Sequence, residues 1–160
     1  MDVYLVQHGE ALAEAQDPQR PLSEAGRAAT AKVADHLAAR GRCLVDPPIT
    51  SIWHSGKLRA HQTAEIFARG LGSDVPLTVR PDLAPNQDPR AVADELTAMR
   101  DRPESVLLVG HLPHLARLAG LLLASDGAKS PVRFANSGVL KLAPAGTDWT
   151  VQWYVTPACV

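Results

Sequence analysis

Three short segments of this 160-residue chain place a histidine or an arginine close to glycine: Gln7-His8-Gly9, Ser55-Gly56-Lys57-Leu58-Arg59 and Gly110-His111. An imidazole can accept or donate a proton near neutral pH, and a guanidinium offers a permanent charge on a planar fork of N–H groups. Glycine lets the backbone come close to a ligand. Gathered at one edge, these groups would form a cationic, donor-rich pocket for an anion, to which helix N-termini would add backbone N–H groups. A single histidine after a strand is ordinarily a hydrogen-bonded structural residue. Two of them, His8 and His111, in separate strand–glycine–helix transitions, with Arg59 in the first turn of the helix between, form a sharper pattern.

The elements that must position these residues alternate along the chain. Val3–Val6 has the apolar run of a buried strand. A helix follows from Pro21-Leu22-Ser23-Glu24, with Ser23 suited to the N-cap and Ala29, Val33 and Leu37 recurring every four residues until Gly41 ends it. Ile49–Trp53 predicts a second strand, and about Lys57 to Arg69 a second helix closed by Gly70 and Gly72. Asp88-Pro89 reads as N-cap and first residue of a third helix carrying Val92, Leu96 and Met99. Val106–Val109 is a third strand, followed by a helix from about Pro113 to Ala124. Gly138–Leu142 and Trp149–Val155 are β-prone runs about a Pro144–Asp148 turn, hence a hairpin. This order predicts an α/β fold, a three-layer αβα arrangement with a mainly parallel sheet and a C-terminal β-hairpin at its edge. Ligands of such sheets bind outside the carboxyl ends of the strands, where all three segments fall.

Composition narrows the functions. Sixteen basic against 17 acidic residues give a formal net charge of −1, so no electrostatic surplus drives nucleic-acid or anionic-membrane binding, and any anion site must be local. With 46% hydrophobic residues, 160 residues suit one domain, residues 1–160. The longest stretches without Asp, Glu, Lys or Arg, Ser105–Ala116 and Trp149–Val160, have 12 residues each, short of the roughly 18 to 20 that span a bilayer. The first residues lack the basic and long apolar regions of a secretory signal. Cys43 and Cys159 form no CxxC pair, so neither a disulfide framework nor a thiolate metal site is expected, and a reducing cytoplasm is.

Leu5-Val6-Gln7-His8-Gly9-Glu10-Ala11 resembles the RHG motif that opens the histidine phosphatase superfamily, with the first residue changed. Ser55-Gly56-Lys57-Leu58-Arg59-Ala60-His61-Gln62-Thr63-Ala64 is similar to its second motif, S-P-x-x-R-A-x-Q-T-A, and Val109-Gly110-His111-Leu112-Pro113 to its later strand-end histidine segment. The likeness extends through Arg20-Pro21-Leu22-Ser23, Leu83–Asp88 and Asn136-Ser137-Gly138, and is greatest to the short, SixA-type phosphohistidine phosphatases. It implies a phosphoglycerate mutase-like fold and a phosphatase. His8 would be the nucleophile that forms a phosphohistidine intermediate, Arg59 would grip the phosphoryl oxygens and His111 would donate to them. Gln7, Gly9, Ser55 and Arg20 would complete the phosphate site, with no metal and no cofactor. Gly9 would let the chain turn sharply so that His8 faces the phosphate, and Ser55 would add a hydroxyl or cap the following helix.

Two positions depart from the pattern. Gln7 stands for the arginine before the nucleophile, which removes a permanent charge and leaves weaker neutral donors, with Arg20 or Lys57 to compensate. Gly56 stands for a proline, which loosens the loop before Arg59. No acidic residue is marked as leaving-group acid, Asp88 being better explained as a helix cap. An alkoxide leaving a monoester needs such an acid, whereas an imidazole with a conjugate acid near pKa ~6.5 departs with little help, so a P–N substrate is favoured. The substrate expected is thus a phosphorylated histidine-containing protein. A small phosphorylated metabolite is the alternative, and a catalytically silent phosphate- or phosphoprotein-binding module is the reading Gln7 motivates. His111 and His114 have an HxxH spacing, but no acidic third ligand is near in sequence. His54 and His61 read as flanking or ordinary polar residues, His36 as a helix-surface residue, and Trp53, Trp149 and Trp153 as core.

Overall fold

The computed structural model describes residues 1–72 and 75–160. Six strands, β1 (Val3–Gln7), β2 (Ile49–His54), β3 (Leu77–Val79), β4 (Ser105–Gly110), β5 (Val139–Ala145) and β6 (Asp148–Val155), form one sheet in the order β3-β2-β4-β1-β5-β6. The four strands on the β3 side run parallel, and β5 lies antiparallel to β1 and carries β6 to the edge. Helices α1 (Glu24–Arg40), α2 (Leu58–Leu71), α3 (Arg90–Met99) and α4 (His114–Ala124) cover both faces.

The alternation along β1 divides the core. Tyr4 and Val6 face α1 and α2 with Val33, Leu37, Ile52, Phe67 and Leu107. Val3 and Leu5 face α3 and α4 with Trp53, Leu96, Leu108, Leu115 and Leu118. Burial on both faces is why β1 and β4 read as unbroken apolar runs.

Helix ends follow local chemistry. Ser23 caps α1 by accepting the Gly26 N–H at 3.0 Å, and its hydroxyl lies 3.0 Å from a Glu10 carboxylate oxygen. Gly41, at φ 45°, ends that helix. In α3 the expected boundary moves by one residue: Pro89 precedes Arg90 as the cap position, and Asp88 accepts the Arg90 N–H at 3.1 Å. Asp88 therefore does cap the turn. Helix α2 begins at Leu58 and runs past Gly70 to Leu71, so Gly70 does not close it. A Cβ at Gly70 would stand 3.0 Å from the Ala34 Cβ, showing that α1 and α2 touch there. The tryptophans form no single cluster: Trp53 and Trp149 lie in the α3/α4 layer, while Trp153 packs against Tyr4 on the other face, ring centroids 5.8 Å apart.

Candidate active site

Pairing of Gln7 with Gly110 and of His54 with Val109 brings the carboxyl ends of β1, β4 and β2 side by side. The His8 N–H continues the β1–β4 ladder onto Gly110 O at 3.1 Å, which sets His8 beside His111, ring centroids 4.7 Å apart. From the third strand end, α2 projects Arg59 back over them, and its Nε–H donates to His8 Nε2 at 3.3 Å. His8, Arg59 and His111 thus converge as expected. Ser55 joins them, its Oγ 2.5 Å from His111 Nε2 and accepting the Lys57 N–H at 3.4 Å; Lys57 is itself the cap position of α2, and no side chain caps that helix, so the hydroxyl faces His111 and does not cap α2.

The His8 ring is held in one tautomer. Its Nδ1 donates to Gly9 O at 2.7 Å, which fixes the tautomer with the lone pair on Nε2. Burial lowers its pKa to about 4, and the charges of Arg59 and Arg20 push in the same direction against the Gly9 hydrogen bond. The ring is neutral at pH 7. Burial likewise lowers His111 to about 3, helped by His8 and Arg59, so it too acts as a neutral group.

Gly9 is required for a different reason from a sharp turn. A Cβ there would stand 2.6 Å from Thr30 Oγ1 and 3.0 Å from Gly26 O, so the loop is pressed against the start of α1. Its N–H is turned inward onto Thr63 Oγ1 at 3.0 Å, and Thr63 in turn donates to Arg59 O at 2.8 Å. One buried threonine hydroxyl therefore couples the nucleophile loop to the helix that carries Arg59. Thr63 lies within the motif around Arg59, one turn on, but its partner Gly9 is 54 residues away and no local pattern marks the contact.

Gln7 is engaged away from the histidines. Its Nε2 donates to Asn136 Oδ1 at 2.5 Å, its backbone oxygen accepts the Ser137 N–H at 2.9 Å, and its Oε1 is buried without a hydrogen-bond partner. Ser137 Oγ is 2.8 Å from Thr30 Oγ1. The Asn136-Ser137-Gly138 segment thus supports the strand end that carries His8. Arg20, at φ 49°, anchors its Nε on Leu12 O at 3.3 Å and shares one cavity with Lys57 and Arg59, to which Glu14 also contributes. Its charge is near enough to lower the Arg59 pKa after burial has done so.

Other candidates separate from this group. Asp88 pairs with Arg90 at 2.8 Å. His114 is fully buried with neither ring nitrogen bonded, and among the described residues no three His, Cys, Asp or Glu side chains are grouped to hold a metal. His54 and His61 adjoin each other, ring centroids 4.9 Å apart and planes tilted by 48°.

This α/β layering, with two histidines and an arginine meeting at the carboxyl ends of parallel strands, defines a phosphoryl-transfer architecture. Residues 3–85, more than half of the chain, match the model of the histidine phosphatase superfamily, branch 1, and the chain belongs to that superfamily and to its phosphatases. The protein histidine phosphatase SixA complexed with tungstate superposes with a TM-score of 0.83 at 28% identity, over 99% of this chain and 98% of that one. The Agrobacterium tumefaciens protein described as a phosphohistidine phosphatase SixA gives 0.72 at 25% identity, over 98% and 97%. Phosphoglycerate mutase from Bacillus anthracis, at 16% identity, shares the fold with a TM-score of 0.69 over 95% and 91%. No curated protein matches the chain.

Proposed function

We propose that this chain hydrolyses phosphohistidine on a protein through a covalent phosphohistidine at His8. The observation that carries the reading is the His8 ring itself: neutral, with Nδ1–H held by Gly9 O, and with Nε2 beside Arg59 and His111. As Nε2 bonds to phosphorus, the substrate's P–N bond breaks and its imidazole, protonated on the second nitrogen, leaves as a neutral ring. Positive charge then gathers on His8, where the Gly9 carbonyl stabilises it. Arg59 transfers its N–H from His8 to the phosphoryl oxygens, with Arg20 and Lys57 lending charge from the same cavity and His111 and Ser55 donating beside it. Water attacks phosphorus, regenerates His8 and releases phosphate.

The leaving group decides the substrate class. Among the described residues no carboxylate hydrogen-bonds to His8, Ser55, Arg59 or His111. A protonated imidazole needs no such acid, whereas an alkoxide does. We take residues 1–160 to act as one domain on a phosphorylated relay protein in the cytoplasm. No helix among the described residues is long and apolar enough to cross a membrane.

The test is hydrolysis of a phosphohistidine protein alongside an aryl phosphate, in wild type and His8→Ala. Preference for the phosphohistidine protein, labelled phosphate trapped on His8 and loss of turnover in a folded His8→Ala protein are expected. Efficient aryl phosphate turnover without that preference would assign the site to monoesters. Phosphate binding without turnover of either would make it a binding module.

A further inference from the structure

The loop between β2 and α2 carries Ser55 and leads to Arg59, yet its second residue is Gly56, where the family pattern has proline. Gly56 adopts φ 78°, a value proline cannot reach, and its N–H donates to His54 Nδ1 at 3.2 Å. Proline would have no such hydrogen to give. His54 is 2% exposed and sits at the end of β2, its backbone oxygen accepting the Arg80 N–H at 2.7 Å.

The hydrogen-bond direction can be followed outward. With Nδ1 accepting, the neutral His54 ring carries its proton on Nε2, which lies 3.4 Å from His61 Nδ1. His61 then holds its own proton on Nε2, 3.4 Å from the Glu65 carboxylate. Every member has one consistent role, and Glu65 closes the chain from the surface of α2. We propose that His54 is a positioning residue whose neutral ring, oriented by His61 and Glu65, holds the Gly56 N–H and thereby fixes the loop that presents Ser55 and Arg59 to the phosphoryl group.

The device has a built-in sensitivity to acid. A proton on Nδ1 abolishes the acceptor and releases Gly56. The charged groups facing His54 are His61 and Glu65, both on α2. From the neighbouring strands its register partners are Val79 and Val109, and the Arg80 guanidinium lies over Trp53, bound to Asp82 and Glu95. Burial, and then His61, lower the His54 pKa while Glu65 opposes them, so the neutral form prevails at pH 7.

The inference rests on the reading that Ser55 and Arg59 hold the phosphoryl group, and its test does not require turnover. The Gly56 amide is followed by NMR and inorganic phosphate binding by calorimetry, from pH 8 to pH 5, in wild type, His54→Leu and His54→Asn. Comparing variant with wild type at each pH cancels the ionisation of phosphate. In wild type the Gly56 amide should titrate together with the His54 ring. His54→Leu should weaken phosphate binding about fivefold at pH 8, the equivalent of one neutral hydrogen bond, and the deficit should close as the pH falls through the His54 titration that the wild-type ring itself reports. His54→Asn keeps an acceptor two residues before Gly56. It should bind within about twofold of wild type at pH 8 and more tightly than wild type once the wild-type His54 ring has been protonated. A Gly56 amide indifferent to His54 titration, or equal phosphate affinity in wild type and a folded His54→Leu at pH 8, would overturn the inference. A chain that binds phosphate with this pattern but hydrolyses nothing would overturn the proposed function and leave the loop assignment standing.

Discussion

Thr63→Val removes one hydroxyl from a fully buried site while keeping the branched shape of the side chain. Thr63 Oγ1 accepts the Gly9 N–H at 3.0 Å, and α2 leaves no other acceptor at that place in the described hydrogen bonds. The Arg59 carbonyl loses only a secondary partner. An orphaned buried N–H costs about 1–3 kcal/mol, and a protein of this length loses roughly 2–4 °C of Tm per kcal/mol, so Tm should fall by about 2–12 °C. Turnover should fall further than stability alone explains, because the freed Gly9 carries His8 with it. A displacement of about 1 Å at a reacting group can cost on the order of a hundredfold. Thr63→Ser retains the hydroxyl and loses one methyl, worth about 0.8 kcal/mol of apolar burial. Thermal melts and kcat/KM of the two variants separate the hydroxyl from the packing. If Thr63→Val melted and turned over like wild type, or Thr63→Ser lost more turnover than Thr63→Val, the coupling through this hydroxyl would be refuted.

Gln7→Arg should tighten phosphate binding, about tenfold for each ~1.4 kcal/mol realised, since a guanidinium can keep Asn136 and still direct charged N–H groups at the anion. Calorimetry at matched salt checks this, and unchanged or weaker binding contradicts it. Gly26→Ala should be severely destabilising, because its Cβ would lie 2.1 Å from the Glu10 backbone oxygen and backbone must move. Denaturant unfolding measures it, and a wild-type midpoint would show that the α1 contact yields cheaply. Stability should be intact above about pH 6.5 and fall as the pH drops through the window toward 4, because His8 and His111 have folded pKa values of about 4 and about 3, below their unfolded values, and the unfolded chain takes up their protons first. The slope is roughly 1.4 kcal/mol per pH unit for each histidine fully in this window, and equal unfolding free energies at pH 7 and pH 5 would reject it.

What was legible in the sequence was whatever short-range physics determines. Apolar runs buried on both faces marked β1 and β4, and Ser23 and Gly41 bounded α1 because capping is a contact over three or four residues. Strand β3 left no such trace. Leu77-Thr78-Val79 has only three residues, with Thr78 and Val79 exposed, and is a strand through its pairing with Ile52–His54. The site divides the same way. His8, Arg59 and His111 were visible because His8 and His111 directly follow strands, Arg59 stands in the first turn of a helix, and each bears reactive chemistry. Thr63, Thr30, Gly26 and Asn136 act through partners 16 to 129 residues distant, and residues of those types carry no sign of such contacts by themselves. Glycine at position 9 was expected to serve a sharp turn, whereas the observed constraint is α1 pressing on it, a contact with no local sequence signature.

The substitution at Gln7 acquires its meaning from the distribution of charge around His8. Among the described residues three fixed cations share one cavity with Glu14: Arg59 and Lys57 at the start of α2, and Arg20 from the segment before α1. The wall of Gln7 with Asn136, Ser137 and Thr30 is neutral and held together by its own hydrogen bonds. An arginine on that wall would grip substrate phosphate and product phosphate alike, and binding shared by ground and transition states lowers KM without raising kcat. Arg59 differs in kind. Its Nε–H lies on His8 Nε2, the nitrogen that attacks in the proposed reaction, so its charge would stand where the new bond to phosphorus forms and where charge on the phosphoryl oxygens changes most. In the proposed mechanism, glutamine at position 7 would weaken the hold on phosphate while leaving the His8 tautomer and the Arg59 contact in place, and product phosphate would leave faster.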